Sequence, residues 1–204
     1  MNEKYTSDKE EKILEAAIKV ISEKGFKGAT TQEIAKEAGV AEGTIFRYFK
    51  TKKDILYKIL SRTVEIMAPG IVVDTLKEVL EENKDKTDEE ILKAVLKNRL
   101  CLFNKYFPLF KIILYESLFH EDLRNTLVEK VFIKALNVMV EYINKGIEEG
   151  RFRNVDPLIA VRSLVGMIMI SVIQKQFFPD KLKGKSIEDE IDEILDLYLN
   201  GLRS

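Results

Sequence analysis

Apolar residues recur at helical spacing along most of the chain. Ile13, Leu14, Ala17, Ile18 and Ile21 make one stripe, opened by the Ser7/Glu10 capping box and ended by Gly25. A second box, Thr30 with Glu33, opens a short helix over Thr31–Ala38 that turns Ile34, Ala35 and Ala38 to one side. Gly39 stands where a helix C-terminus takes a left-handed residue, and Val40 plugs the turn. A third helix, about 42–49, is predicted to turn Ile45, Phe46 and Phe49 inward. Glu42, Gly43, Thr44, Arg47 and Tyr48 are left on its outer face. Thr51 and Asp54 then cap a helix that runs to about Ala68 through Ile55, Leu56, Ile59, Leu60 and Val64, broken by Pro69-Gly70.

Beyond Gly70 the patterns stay helical. A short segment, Ile71–Glu82, and a polar linker lead to the Thr87/Glu90 box. The helix after it carries Ile91, Leu92, Val95, Leu96, Leu100, Phe103 and Tyr106. Pro108 starts another helix, to Phe119, and a long one is predicted from Asp122 to Glu149, ended by Gly150. Asp156-Pro157 is an N-cap followed by proline at the first helical position; the helix after it, to Phe178, is apolar on almost every face. Ser186 and Asp189 cap the last helix, with Ile187, Ile191, Ile194, Leu195, Tyr198, Leu199 and Leu202 on one stripe. Helix formers dominate while Gly (10) and Pro (4) are sparse, so the expected fold is all-α. Its 204 residues suffice for two small domains: a three-helix helix-turn-helix domain over 1–51 and a helical bundle over 52–204.

Helix, glycine-containing turn, helix is the pattern whose second helix enters the major groove of DNA. The net charge of the chain is −1 and does not advertise nucleic acid. Between Phe26 and Lys53, however, Lys27, Lys36, Arg47, Lys50, Lys52 and Lys53 face only Glu33, Glu37 and Glu42, a local charge of +3. Thr44, Tyr48 and Lys52 can donate to phosphate oxygens, which fixes register on a duplex. The stretch resembles the DNA-binding domain of the TetR family of transcriptional repressors, T-x-x-x-I-A-x-x-A-G-V-S-x-G-T-[LIF]-[YF]-x-[YH]-F-x-x-K-x-x-[LI]. Thr30 or Thr31, Ile34, Ala35, Ala38, Gly39, Val40, Gly43, Thr44, Ile45, Phe46, Tyr48, Phe49, Lys52 and Ile55 fit it. Ala41 departs, standing where the family usually has serine, which removes a helix N-cap of roughly 1 kcal/mol. The resemblance covers about the first quarter of the chain. It implies double-stranded operator DNA as partner, with Thr30, Thr31, Glu42, Gly43, Thr44, Arg47, Tyr48 and Lys52 as the DNA-binding residues.

The remaining chain carries no sharp motif. The helix from Pro157 to Phe178 cannot satisfy all its faces within one small bundle, so a second copy is expected to cover one of them. The resemblance implies the same, since the family dimerises through its last two long helices. Val161, Val165, Ile168, Ile191, Leu195 and Tyr198 are the expected interface. Two charges, Arg99 and Glu116, stand in apolar stripes rich in aromatics. They either pair with each other or face a cavity for a small apolar effector, lined by Arg99, Phe103, Phe107, Phe110, Glu116, Phe119 and Met139. His120 is expected at a surface or cap.

The expected function is a dimeric, ligand-responsive transcriptional regulator, a repressor by resemblance, that binds a pseudo-palindromic operator and leaves it when the effector binds. A regulator controlled by a protein partner or by abundance alone is the alternative. No nucleotide-binding, zinc-protease or nucleophile-elbow motif occurs, and one His with one Cys gives catalytic triads and metal clusters little to build on. No enzyme activity and no cofactor are expected. Cys101 has no cysteine to pair with, the N-terminus lacks a signal-peptide core, and the apolar run Ser163–Ile173 is short for a bilayer. The expected location is the cytoplasm, without membrane attachment.

Overall fold

A computed structural model describes residues 2–67, 70–121, 124–125, 128–177 and 186–202. Its elements are helices: α1 (Asn2–Gly28), α2 (Thr31–Ala38), α3 (Glu42–Tyr48), α4 (Lys52–Met67), α5 (Thr75–Glu82), α6 (Asp88–Lys105), α7 (Phe107–Ser117), α8 (Ile133–Glu148), α9 (Pro157–Phe177) and α10 (Ile187–Leu202). Two wider, π-helical turns, Gly70–Asp74 and Val128–Phe132, precede α5 and α8. The all-α reading holds. The expected breaker Pro69, the helix start at Asp122 and the helix end at Phe178 lie outside the described residues, as does the side chain of Ser7. α1 begins upstream of the Ser7 box; Gly25, at φ 73° and ψ 162°, is non-helical and ends its long first part as expected, a short second part running on to Gly28.

Two compact units share the chain. The first takes Met1–Ala68 and Phe103–Val128; the second takes Pro69–Leu102 and Glu129–Ser204. A boundary at residue 51 therefore falls inside the first unit, for a physical reason. Ile55, Leu56, Ile59 and Leu60 of α4 and Ile112 of α7 are buried in one core with Ile13, Leu14 and Ala17 of α1 and with Ile34 and Ile45. Each fully buried isoleucine or leucine contributes roughly 1.5–3 kcal/mol relative to exposure. Among the described residues of this unit Thr63 is the buried polar one, and its hydroxyl donates to Ile59 O at 2.7 Å within its own helix.

The second unit builds its core from Leu92, Val95 and Leu96 of α6, Val138, Met139 and Ile143 of α8, the inner row Ala160, Val161, Leu164, Ile168 and Val172 of α9, and Ile191, Leu195 and Leu199 of α10. The predicted caps at Thr87/Glu90, Asp156 and Ser186/Asp189 all form. Tyr198 ties α10 to α9 by donating to Ala160 O at 3.1 Å, and burial pushes its phenol up to about 12. Pro157–Gln176 has 20 residues and a mean hydropathy of 1.8, long and apolar enough to cross a membrane, unlike the shorter run read from the sequence. Its inner row is nevertheless part of this core.

Gly146 of α8 is buried because Phe152 folds back over it. A Cβ at Gly146 would lie 2.2 Å from the Phe152 ring. The return is pinned by Phe152 N–H on Gly146 O at 3.0 Å and Arg153 N–H on Leu202 O at 2.9 Å. Alanine elsewhere in a helix is better than glycine by up to about 1 kcal/mol. Here Gly146→Ala should destabilise by roughly 1–3 kcal/mol in urea unfolding, because the ring has to move. Phe152→Leu, which shortens the side chain, should recover part of that loss in the double variant.

Candidate functional site

α2 and α3 are eight and seven residues long, and local chemistry delimits them. Thr30 caps α2 reciprocally: its hydroxyl accepts from Glu33 N–H, and the Glu33 carboxylate accepts from Thr30 N–H at 3.0 Å. Gly39 closes α2 at φ 66°, and Val40 N–H returns to Ala35 O at 3.0 Å. α3 starts at Ala41 without a side-chain cap, as the missing serine predicts. Ile45 and Phe49 point inward. Phe46 does not; half of its surface is exposed. In a seven-residue helix the inward face is narrow, and the neighbour about 100° on from Ile45 turns to solvent.

The outer face of α3 presents Glu42, Gly43 and Arg47 exposed, Thr44 and Tyr48 half-buried, and an open space beside Gly43 that lets a groove wall approach. The acids of the hairpin are engaged. Glu33 binds Lys24 at 2.6 Å, Glu37 binds Lys19 at 2.6 Å, and Glu42 accepts from the Thr31 hydroxyl at 2.6 Å. Among the described residues, Arg47 and Lys50 carry no side-chain partner. Lys53 lies over the Tyr57 ring, 5.4 Å from its centroid. The face is cationic because Arg47 and Lys50 outnumber Glu42 on it, while Glu33 and Glu37 are neutralised by Lys24 and Lys19.

Lys52 sits where the sequence reading does not put it. Expected at a phosphate, its ammonium instead donates to Phe26 O and Ala29 O, both at 2.7 Å, and lies 4.6 Å from the Phe26 ring centroid. The first residue of α4 thus closes the C-terminal end of α1 and the loop into α2. A cation belongs there, against the negative end of a helix dipole. It is a strut of the hairpin.

The expected effector residues fall into both units. Phe103 packs against Phe107 and Phe110 with ring centroids 5.3 and 4.9 Å apart, while Phe119, at the end of this segment, is exposed. Glu116 is largely buried beside His120, whose Nε2 is 3.6 Å from it, and the His120 ring meets Tyr57 edge-on. In the second unit Met139 is buried in the core. Arg99 is bound there by the Val72 carbonyl, the Thr75 hydroxyl and the Asn98 side-chain oxygen. Arg99 and Glu116 therefore each have their own partners. Of the six expected interface residues only Val165 is exposed. Val161, Ile168, Ile191, Leu195 and Tyr198 are buried in the subunit's own core, because the inner row of α9 and the stripe of α10 face each other.

One cluster was not legible in the sequence. Asp88 accepts from both Tyr142 and Arg151, 54 and 63 residues away, at the edge of a cleft of about 670 Å³ that also contains Lys77, Lys84 and Lys145. Burial, reinforced by the Asp88 carboxylate, pushes the Tyr142 phenol well above its ordinary value. Arg151 and Lys145 also pair with Glu149, and Lys84 with Glu81. The cleft largely neutralises itself.

A helix-turn-helix with a free cationic outer face, on a helical unit distinct from a second helical unit, defines a DNA-binding regulator. Residues 13–59 match the family described as bacterial regulatory proteins, tetR family. The fatty acid metabolism regulator protein of Bacillus subtilis is 28% identical to the chain over 165 residues, 76% of this chain and 77% of that protein. Among solved structures, the chain is similar to the fatty acid degradation regulator FadR of Bacillus halodurans, with a TM-score of 0.60, 28% identity and 94% of each chain covered. It is also similar to FadR of B. subtilis in complex with stearoyl-CoA, with a TM-score of 0.63, 26% identity, and 93% and 97% covered. Residues 13–59 are thus a tetR-family region, and most of the chain's length is similar to regulators of fatty acid metabolism.

Two predictions follow from the hairpin. Lys52→Ala should lower the melting temperature and weaken binding on every duplex, yet leave the salt dependence of binding unchanged. A slope shallower by about 0.9 would make it a phosphate contact after all. The second concerns pH. Hydrogen bonding to Lys24, then to Thr30, holds the Glu33 carboxyl below the usual range. The folded carboxylate keeps its charge to lower pH than the unfolded one, so its contribution is complete at neutral pH and fades as pH falls through about 4. Glu33→Gln should flatten the decline of melting temperature across that range.

Proposed function

We propose that the protein is a homodimeric repressor that binds a pseudo-palindromic operator and is released by a fatty-acyl effector. The observation that carries the DNA half is the outer face of α3, where Arg47 and Lys50 are unpartnered while the acids of the hairpin are engaged elsewhere. Arg47, one turn beyond the uncapped start of α3, reaches base edges, and Thr44 and Tyr48 serve the phosphates. Thr30, Thr31 and Glu42 fix the hairpin that presents them. The domain division is functional in this reading: the helix-turn-helix hairpin reads DNA, and the helical bundle beyond it binds the effector and the second copy.

The dimer is supported by the outer side of α9. Ile159, Val165, Ile170 and Ile173 are exposed along it, Gly166 leaves open space between them, and Leu197 of α10 is two-thirds exposed. Such a face costs free energy in water and is what a second copy covers. A two-fold dimer carries two reading helices, which matches a pseudo-palindrome. The effector class rests on the relatives: a fatty acid metabolism regulator, and a FadR that holds stearoyl-CoA.

Selection from a random duplex pool should return inverted repeats, and Arg47→Ala should change the preferred bases, with a loss of roughly 1–3 kcal/mol of discrimination at one position of each half-site. Uniform loss on all sequences would remove Arg47 from base reading. Ile170→Glu should turn the dimer into a folded monomer in sedimentation and abolish operator binding. Leu195→Glu should instead unfold the subunit, since that residue is wholly buried. A wild-type protein that is monomeric at micromolar concentration contradicts the reading.

A further inference from the structure

Arg99 is a half-buried cation whose partners are all neutral. Its Nη1 donates to Val72 O at 2.6 Å, its Nη2 to the Thr75 hydroxyl at 2.7 Å, and its Nε to Asn98 Oδ1 at 3.1 Å. Among the described residues no carboxylate lies within ion-pair distance of it. Burial alone pulls its pKa below the ordinary guanidinium value, with no opposing acid to restore it. A guanidinium removed from water is normally matched by an anion, because neutral dipoles replace hydration only in part. Carboxylate and phosphate are the groups its fork fits, and a charge-assisted bond to either is about twice as strong as one to a carbonyl.

Apart from Asn98 Oδ1 on its own helix, the oxygens that Arg99 holds belong to the first π-helical turn, Gly70–Asp74, and to the residue after it. Val72 O is bonded directly. Ile71 O is reached through Thr75, whose hydroxyl accepts from Arg99 and donates to that carbonyl. Wide turns of this kind recur at functional sites, and here Arg99 reaches in from α6 to bind one of the turn's carbonyls. This turn is also the stretch of chain that leads from α4 into α5.

We infer that Arg99 is the anchor for the anionic group, carboxylate or phosphate, of the effector, and that this group displaces bonds Arg99 now gives to the π-helical turn. Binding and turn geometry are then linked: an anion that takes the Nη groups frees Val72 O and loosens the hold on Thr75, so the turn changes as the ligand enters. The inference rests on the fatty-acyl reading above and adds to it which group of the ligand is recognised and which backbone responds.

The test uses three twelve-carbon compounds with the purified full-length protein: dodecanoate, dodecanoyl-CoA and the uncharged dodecanol. Binding is read by thermal shift without DNA, and release by anisotropy of a selected operator duplex. At least one anion should half-saturate the wild type at a concentration tenfold or more below dodecanol. Arg99→Gln should erase that preference, and Arg99→Lys, which keeps the charge without the fork, should keep part of it. Loss of the preference for dodecanoate assigns a carboxylate. Loss confined to dodecanoyl-CoA assigns a phosphate. Equal response of the wild type to anions and alcohol, no binding of any of the three, or a preference that survives in Arg99→Gln overturns the inference. The wild-type comparison and Arg99→Lys decide it if Arg99→Gln does not fold. Anion binding through Arg99 that leaves the operator complex intact would uphold the inference and refute the effector-release reading; release without anion preference would do the reverse.

Discussion

Helices of eight and seven residues cannot hold themselves in water, since nucleating each costs more than its few hydrogen bonds return. The reading hairpin exists because Ile34 and Ile45 are inserted, fully buried, into a core supplied by α1, α4 and α7. Lys52 adds the polar counterpart, closing the C-terminal end of α1 with a cation just where α4 begins. With apolar plugs below and that strut at the side, the outer face of α3 beyond Glu42, around Arg47, is left free of structural duty. Function occupies what packing does not need.

Charge follows the same division. In the DNA-reading hairpin Glu37 and Glu33 are neutralised by Lys19 and Lys24, and Arg47 and Lys50 outnumber Glu42, so a nearly neutral protein shows one cationic face. In the second unit, Arg151 is answered by Asp88 and Glu149, and the cleft around it is close to neutral. Arg99 is the contrasting case, half-buried among dipoles rather than charges. Two arginines of one unit thus have opposite electrostatic surroundings, one balanced within the fold and one open to an anion.

Much of the first unit could be read from spacing because its signals are local. A capping box needs residues three apart, a left-handed glycine needs only its own φ, and a missing cap needs only Ala41. Helix existence and the caps at Thr87, Asp156 and Ser186 were legible for the same reason. Phe46 and Lys52 were not. Whether residue 46 turns in or out depends on how narrow the buried face of α3 is, and Lys52 meets carbonyls 26 and 23 residues earlier in the chain.

The second unit marks the limit more sharply. Periodicity said that α9 and α10 each carry an apolar face, but not which partner each face meets. Ile191 and Leu195 proved to be core, and the exposed row lies on the other side of α9. Residue spacing was enough for most of the helices, the caps at Thr30, Thr87, Asp156 and Ser186, the hairpin and its basic character, since these follow from residues within about one turn of each other. Tertiary structure decided which apolar face stays open and which lysine is a strut. It also decided that Arg99 faces neutral oxygens and that Asp88, Tyr142 and Arg151 converge. Those outcomes depend on segments brought together from far apart in the chain, and helical periodicity carries no information about which segments will meet.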